Sequence, residues 1–142
     1  ELTETAIMDL HPEILRQLSQ IKDLGVQIGL DDFGTGYASL THLRRLPLDF
    51  VKVDRSFVNG LGVDPGDERI VAAVIDLARN LGLRSIGEGV ETHEQLHRLV
   101  ELGCDQAQGY LFARPTAPDD LSYTTYQLDA PTPHGQPLPS ST

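Results

Sequence analysis

The sequence predicts an α/β fold built on a parallel sheet, and two observations carry that prediction. Strand-like and helix-like patterns alternate strictly along the chain with short connections, as in parallel sheets covered by helices. Polar residues also recur at or just past the carboxyl end of each strand: Glu1 and Glu4, Asp31 and Asp32, Lys52 and Asp54, Glu88 and Glu91, and Gln108. In α/β barrels that rim collects catalytic residues, and in open sheets the equivalent crevice binds the ligand. Strand ends that serve stability alone could use any small polar residue. Five rims sharing acid, amide and a single lysine therefore point to a common metal or catalytic site.

The elements follow in order. Ile14, Leu15, Leu18, Ile21 and Leu24 fall at helical spacing over 11–24, with Pro12 suited to the first turn and Gly25 to the C-terminal cap. An apolar run over 26–30 predicts a strand, followed by the loop Asp31-Asp32-Phe33-Gly34-Thr35-Gly36 and a helix from about 37 to 45 that Pro47 stops. Phe50 to Asp54 is a second strand. Asp67 is expected to cap a helix over 68–81 that Gly82 closes, and Arg84 to Gly87 forms the next strand. Thr92 and Gln95 make a capping box for a helix over 93–102 ended by Gly103, and the last strand lies near Asp105 to Gln108. No strand is expected before the first helix. The chain opens at Glu1-Leu2-Thr3-Glu4 without an initiator Met, so it is expected to belong to something longer.

Asp31 and Asp32 are the centre of this pattern. A pleated strand sends neighbouring side chains to opposite faces, so two adjacent acids converge only where the strand gives way to a loop. Gly34 and Gly36 supply that loop and let the chain pass close to a ligand. Paired oxygens without sulfur suit a hard cation such as Mg2+ or Mn2+. A helix-capping Asp beside a turn Asp is the alternative for these two residues taken alone.

With 142 residues the chain is one domain by length, and its net charge of −10 excludes a broad electrostatic grip on DNA or RNA. A polyanionic ligand would need metal ions or a few placed cations. Cys104 is the only cysteine, so no intramolecular disulfide forms and a reducing, cytoplasmic setting is expected. No apolar run reaches membrane-spanning length. From residue 116 the composition turns to Pro, Thr, Ser, Gln and Asp, which divides the chain into a folded part over 1–121 and a disordered tail over 122–142.

Five segments in order resemble one family: Glu1-Leu2-Thr3-Glu4, Asp31 to Tyr37, Leu46-Pro47-Leu48-Asp49-Phe50-Val51-Lys52-Val53-Asp54, Glu88-Gly89-Val90-Glu91-Thr92 and Gln108-Gly109-Tyr110. They are similar to the EAL-domain cyclic di-GMP phosphodiesterases of bacteria. The resemblance implies a TIM-like (β/α) barrel of which this chain holds the C-terminal five or so strands. It also implies hydrolysis of cyclic di-GMP to linear pGpG at a pair of Mg2+ or Mn2+ ions. By the same resemblance Glu1, Asp31, Asp32, Asp54 and Glu88 surround the metals, and Lys52 is the active-site lysine. Gln108 lies near the catalytic water and Glu4 steadies the loop containing Gly34 and Gly36. Glu91 and Arg114 are candidate substrate contacts. Ala38 stands where a serine is common and Gly87 where an alanine is common. The family's Glu-Ala-Leu motif and a following asparagine would precede Glu1, so the metal site is incomplete in this chain. The isolated piece is expected to hydrolyse weakly or not at all, and to dimerise through the loop after Asp32 or by swapping a half-barrel. Membrane anchoring would belong to the parent protein.

Two rival readings carry their own signals. A catalytically inactive module that binds cyclic di-GMP or docks a partner would keep the same fold. His93-Glu94-Gln95-Leu96-His97 fits the zinc-protease pattern of two histidines one turn apart. Its context is poor: His93 falls in the first helical turn, no Gly and third His follow, and Glu94 is explained by the helix dipole.

Overall fold

The computed structural model describes residues 1–7, 11–34, 36 and 43–117. Among the described residues, five strands and four helices follow one another: β1 (Leu2–Thr3), α1 (Pro12–Asp23), β2 (Gly29–Phe33), β3 (Phe50–Val53), α2 (Arg55–Val58), α3 (Pro65–Asn80), β4 (Arg84–Gly87), α4 (His93–Glu101) and β5 (Gln106–Ala107). The strands form one sheet in the order β1-β2-β3-β4-β5, and every neighbouring pair is parallel. Sequential order without a reversal is the wall of a (β/α) barrel, whereas doubly wound sheets reverse at a switch point.

Several local expectations shift. A strand does open the chain: Leu2 and Thr3 pair with Leu30 and Asp31, so Glu1 precedes β1 and does not follow it. The second strand begins at Gly29, later than its apolar run, and continues through both acids to Phe33. Gly29 lies opposite Phe50, and a Cβ there would sit 1.9 Å from the Phe50 ring, so glycine is what allows the two strands to close at that point. Val26, half exposed, is left outside the ladder.

The helices show similar adjustments. α3 starts at Pro65, and its cap is Asp64, whose Oδ1 accepts from the Gly66 amide at 2.7 Å; Asp67 lies inside the first turn. Pro65 has its φ pre-set for the first helical position, which outweighs the later acid as a start signal. Short helix α2, capped by Asp54, had no periodic signal to announce it. α1 runs as expected, yet of its apolar residues only Leu18 is buried, and Leu24 is 82% exposed. Periodicity tells which residues share a face, not what covers that face. The Thr92–Gln95 capping box is present with both of its bonds. The expected helix over 37–45 falls largely on residues outside the described set, as does the tail from 118 onward.

The core gathers Leu30, Val51 and Val53 of the sheet with Val71, Val74, Ile75 and Ala78 of α3 and Leu99 of α4. Gly87 belongs to this packing. A Cβ there would lie 2.6 Å from Leu99 Cδ1, so the glycine in place of alanine lets α4 seat against the sheet.

A repeated device pins the sheet at the end away from the acid-rich rim. Asp49, just before β3, accepts from the Ile28 amide at 2.8 Å and pairs with Lys22 at 3.0 Å. Asp105, just before β5, accepts from the Ser85 amide at 2.8 Å and the Ser85 hydroxyl at 2.9 Å. Each acid ties the start of one strand to the chain of its neighbour. The Ile28 amide, then the Lys22 ammonium, hold the Asp49 carboxyl below its ordinary value. An acid whose folded value is lowered stabilises above its unfolded value of about 3.9, and that contribution fades as pH falls through the folded value. Asp49→Ala is therefore expected to lose about 1–3 kcal/mol at pH 7, the cost of stranding a buried amide. The gap to wild type should narrow below about pH 4; urea unfolding at both pH values checks this, and an equal gap at both contradicts it.

Candidate active site

Lys52 sits on β3 between β2 and β4, and its side chain is 7% exposed. A buried ammonium needs partners, and it has three: Glu88 Oε1 at 2.5 Å, Glu1 Oε1 at 3.2 Å and Asp31 Oδ1 at 3.3 Å. The acids come from the segments leading into β1, within β2 and after β4. One lysine thus joins four adjacent segments of the sheet.

The placement of two consecutive acids beside one lysine has a geometric cause. Leu30 pairs with Val51 and Phe33 with Val53, so Asp31 and Asp32 together stand opposite the single residue Lys52. That is a β-bulge, which re-aims side chains that strict alternation would send to opposite faces. Asp32 absorbs the turn with φ of 55°, a left-handed conformation that aspartate tolerates better than most residues. The two acids therefore converge inside the strand, at a bulge, and not in the loop after it.

Carboxylate oxygens of Asp31, Asp32 and Glu88 lie within 4.8 Å of one another. Among the described residues this is the one cluster of three such ligating groups. Its oxygen-only donor set, free of His and Cys, fits a hard divalent cation. Glu1 reaches the cluster through Lys52. Asp54 turns toward its own helix, accepting from the Ser56 amide at 2.9 Å and from the Ser56 hydroxyl.

The electrostatics are mutually dependent. Burial opposes the charge on Lys52, but the Glu88 and Glu1 hydrogen bonds and the nearby Asp31 charge outweigh it and raise the lysine above its ordinary value. Burial likewise opposes ionisation of Asp31, and Lys52 overcomes it, leaving that carboxyl lowered. Glu88 is the reverse case: burial, with Asp31 adding, raises it despite Lys52. Asp32 is also raised, by burial and by the Asp31 and Asp54 charges.

Around this centre, Gln108 donates to Glu88 Oε1 at 2.5 Å, the same oxygen that Lys52 holds. Glu4 is buried, and its Oε2 accepts from the Gly36 amide at 2.9 Å and the Gly34 amide at 3.3 Å, so an acid from beyond β1 holds the glycine loop. Glu91 pairs with Arg55 at 2.6 Å, and the Arg114 guanidinium lies 4.9 Å from the centre of the Tyr110 ring. A cavity of about 400 Å³ opens between these last four residues. Arg55 carried no signal in the sequence, because only the fold brings α2 next to the segment after β4. His93 and His97 are exposed on α4, and His97 Nδ1 lies 3.7 Å from Glu101 Oε1. Neither joins a cluster of three ligating groups among the described residues.

Comparison with known proteins identifies the family. A family model described as EAL domain matches residues 1–115. The chain is 48% identical over 115 residues to cyclic di-GMP phosphodiesterase NbdA of Pseudomonas aeruginosa, covering 81% of this chain and 15% of that protein. It is 44% identical to the solved structure of the MucR phosphodiesterase from Pseudomonas aeruginosa in complex with c-di-GMP, with a TM-score of 0.77, covering 83% of this chain and 48% of that one. A Klebsiella pneumoniae BlrP1 complex with manganese and cyclic di-GMP gives a TM-score of 0.71 at 34% identity, over 80% of this chain and 29% of that one. The chain thus spans about half, or less, of the length of the proteins it matches. On the family match, the identities and the shared fold together, this chain belongs to the EAL domain family.

Proposed function

We propose that the domain to which this chain belongs hydrolyses one phosphodiester of cyclic di-GMP to give linear pGpG. The observation that carries this reading is the cluster of Asp31, Asp32 and Glu88, with oxygens within 4.8 Å of one another beside the Lys52 ammonium. We assign these three carboxylates to hold Mg2+ or Mn2+, with Glu1 and Asp54 as further acids of a two-metal site. Bound divalent cations would polarise the phosphoryl oxygens and lower the pKa of water.

The chain's own residues supply the rest. Lys52 keeps its proton and presents positive charge to the phosphate, while it holds Asp31 ionised and Glu88 in place. Glu88, fixed through one oxygen by Lys52 and Gln108, is the group assigned to orient the attacking water. In the balanced step the water oxygen bonds to phosphorus, the bond to ribose O3′ breaks, and a water proton ends on that O3′. Glu91 and Arg114 are assigned to substrate contact beside the cavity. Glu4, which accepts from the Gly34 and Gly36 amides, is assigned to steady the glycine loop after Asp32. Association of two copies, through the loop after Asp32 or by exchange of half-barrels, is part of this proposal. We place the activity in the cytoplasm. Among the described residues no helix is long and apolar enough to cross a membrane.

In the domain that contains this segment, Lys52→Ala is expected to lower Mn2+-dependent pGpG release by about 10²–10³-fold, the usual cost of removing a preorganised charge. An unchanged rate would refute the assignment. Asp32 tests the same site through stability. Because its folded-state carboxyl is raised, wild-type stability falls as pH rises past about 3.9, and Asp32→Asn removes that dependence while keeping a residue that tolerates positive φ. The variant is expected to melt higher than wild type at pH 7, with the margin shrinking near pH 3. Its Mn2+ affinity should fall by about tenfold or more, read by calorimetry. A less stable variant with full Mn2+ affinity would contradict the role given to Asp32.

A further inference from the structure

His93 and His97 stand four residues apart on α4, away from the acid cluster. That spacing brings two side chains to one helix face, with Cβ atoms about 5–6 Å apart. Gln95 and Leu99 are the buried residues of the helix, and each lies two positions beyond a histidine, on the opposite side of a 3.6-residue turn. Both imidazoles are therefore exposed, His97 over 68% of its side chain. The turn that carries them is held by the Thr92–Gln95 capping box.

Exposed histidine pairs are common, and what sets this one apart is the carboxylate behind it. Glu101, a further turn along the same face, places Oε1 3.7 Å from His97 Nδ1. Its other oxygen accepts from Arg98, and Arg98 in turn pairs with Glu68 of α3. Glu101 is thus anchored to the body of the fold through a second helix. A carboxylate at Nδ1 favours the tautomer protonated there and leaves Nε2 with the lone pair, the arrangement that orients a metal-ligating histidine. Glu94, which a zinc peptidase would need as its base, points elsewhere: a Cβ added at Gly62 would meet its Oε1 at 3.0 Å. The pair therefore has the ligands of that motif without the adjoining base. The surroundings also suit a cation, because the chain carries a net charge of −10 and Arg98 is paired with two acids.

We propose that His93 and His97 form a metal site of their own on the exposed face of α4, taking a late first-row divalent ion such as copper or zinc, with Glu101 positioning His97. Imidazole suits these ions, whereas the oxygen-only cluster of Asp31, Asp32 and Glu88 suits Mg2+ or Mn2+. The two sites divide metals by ligand chemistry. Two protein ligands leave the remaining positions to water.

The test is a Cu2+ titration of the 142-residue chain in excess Mg2+, read by electron paramagnetic resonance, with affinity taken from competition against glycine. Cu2+ is the probe because it heads the affinity order for such ligands, and its spectrum reports the nitrogens bound to it. Wild type is expected to take up one ion with two imidazole nitrogens. His93→Ala and His97→Ala should each weaken binding by about tenfold or more, and Glu101→Gln by about tenfold with both nitrogens retained. The two histidine variants remove exposed side chains, so their melting temperatures without metal are expected to match wild type. A variant with His11, His42 and His134 all changed to Ala should bind as wild type does. A nitrogen count other than two, affinity that survives either substitution in the pair, binding lost with the other three histidines, or full affinity in Glu101→Gln would overturn the proposal. The reading of the acid cluster is untouched by either result.

Discussion

A lysine ammonium buried among three carboxylates is the constraint on which the rest of this structure depends. Burying such a charge costs several kcal/mol unless it is closely paired and hydrogen-bonded. Lys52 meets that demand only if Glu1, Asp31 and Glu88 arrive from three different segments and only if β2, β3 and β4 hold their registers. The same lysine lets several acids share a small volume. It lowers Asp31 and opposes the rise of Glu88, so the two carboxyls are set apart although they face the same ammonium.

The surrounding fold serves that arrangement at both ends of the strands. At the rim, the bulge that puts Asp31 and Asp32 opposite Lys52 is followed at once by a glycine loop whose amides bond to Glu4. At the other end, Asp49 and Asp105 tie strand starts to neighbouring chain through backbone amides. Bulges at sheet rims re-aim side chains and are common beside active sites. Here the bulge costs a left-handed aspartate and two crowded acids, and Lys52 offsets part of that cost. Gly29 and Gly87 work differently, by removing a side chain where Phe50 and Leu99 come close.

Much of this was legible in the residues. Alternating periodicity predicts the parallel architecture, and the recurrence of acids at strand tips singles out Asp31, Lys52 and Glu88, which lie together in the fold. The Thr92–Gln95 box was readable because its bonds are local. What could not be read is non-local or depends on pairing. A bulge is a property of two strands, so the single strand around Asp31 suggested that the acids lay in a loop. The role of Asp49 requires knowing that Ile28 lies beside it, 21 residues earlier in the chain. Arg55 meets Glu91 across 36 residues, and its helix is only four residues long, too short for periodicity to reveal. Asp64 and Asp67, three residues apart, both offer a cap for α3, and Pro65 decides between them.

The charge of Lys52 holds the acids together, and Lys52→Met removes that charge while keeping most of the stem. With the ammonium gone, Glu1, Asp31 and Glu88 repel one another at neutral pH, and their carboxyls should rise in the folded state. Stability should then be lost as pH increases and regained as the acids take up protons. Thermal unfolding of wild type and Lys52→Met from pH 3 to pH 8 is the measurement. The expected result is a variant that melts well below wild type at pH 7 and approaches it near pH 3. Two melting curves that stay parallel across this range, or a variant as stable as wild type at pH 7, would show that the lysine does not hold the acids together.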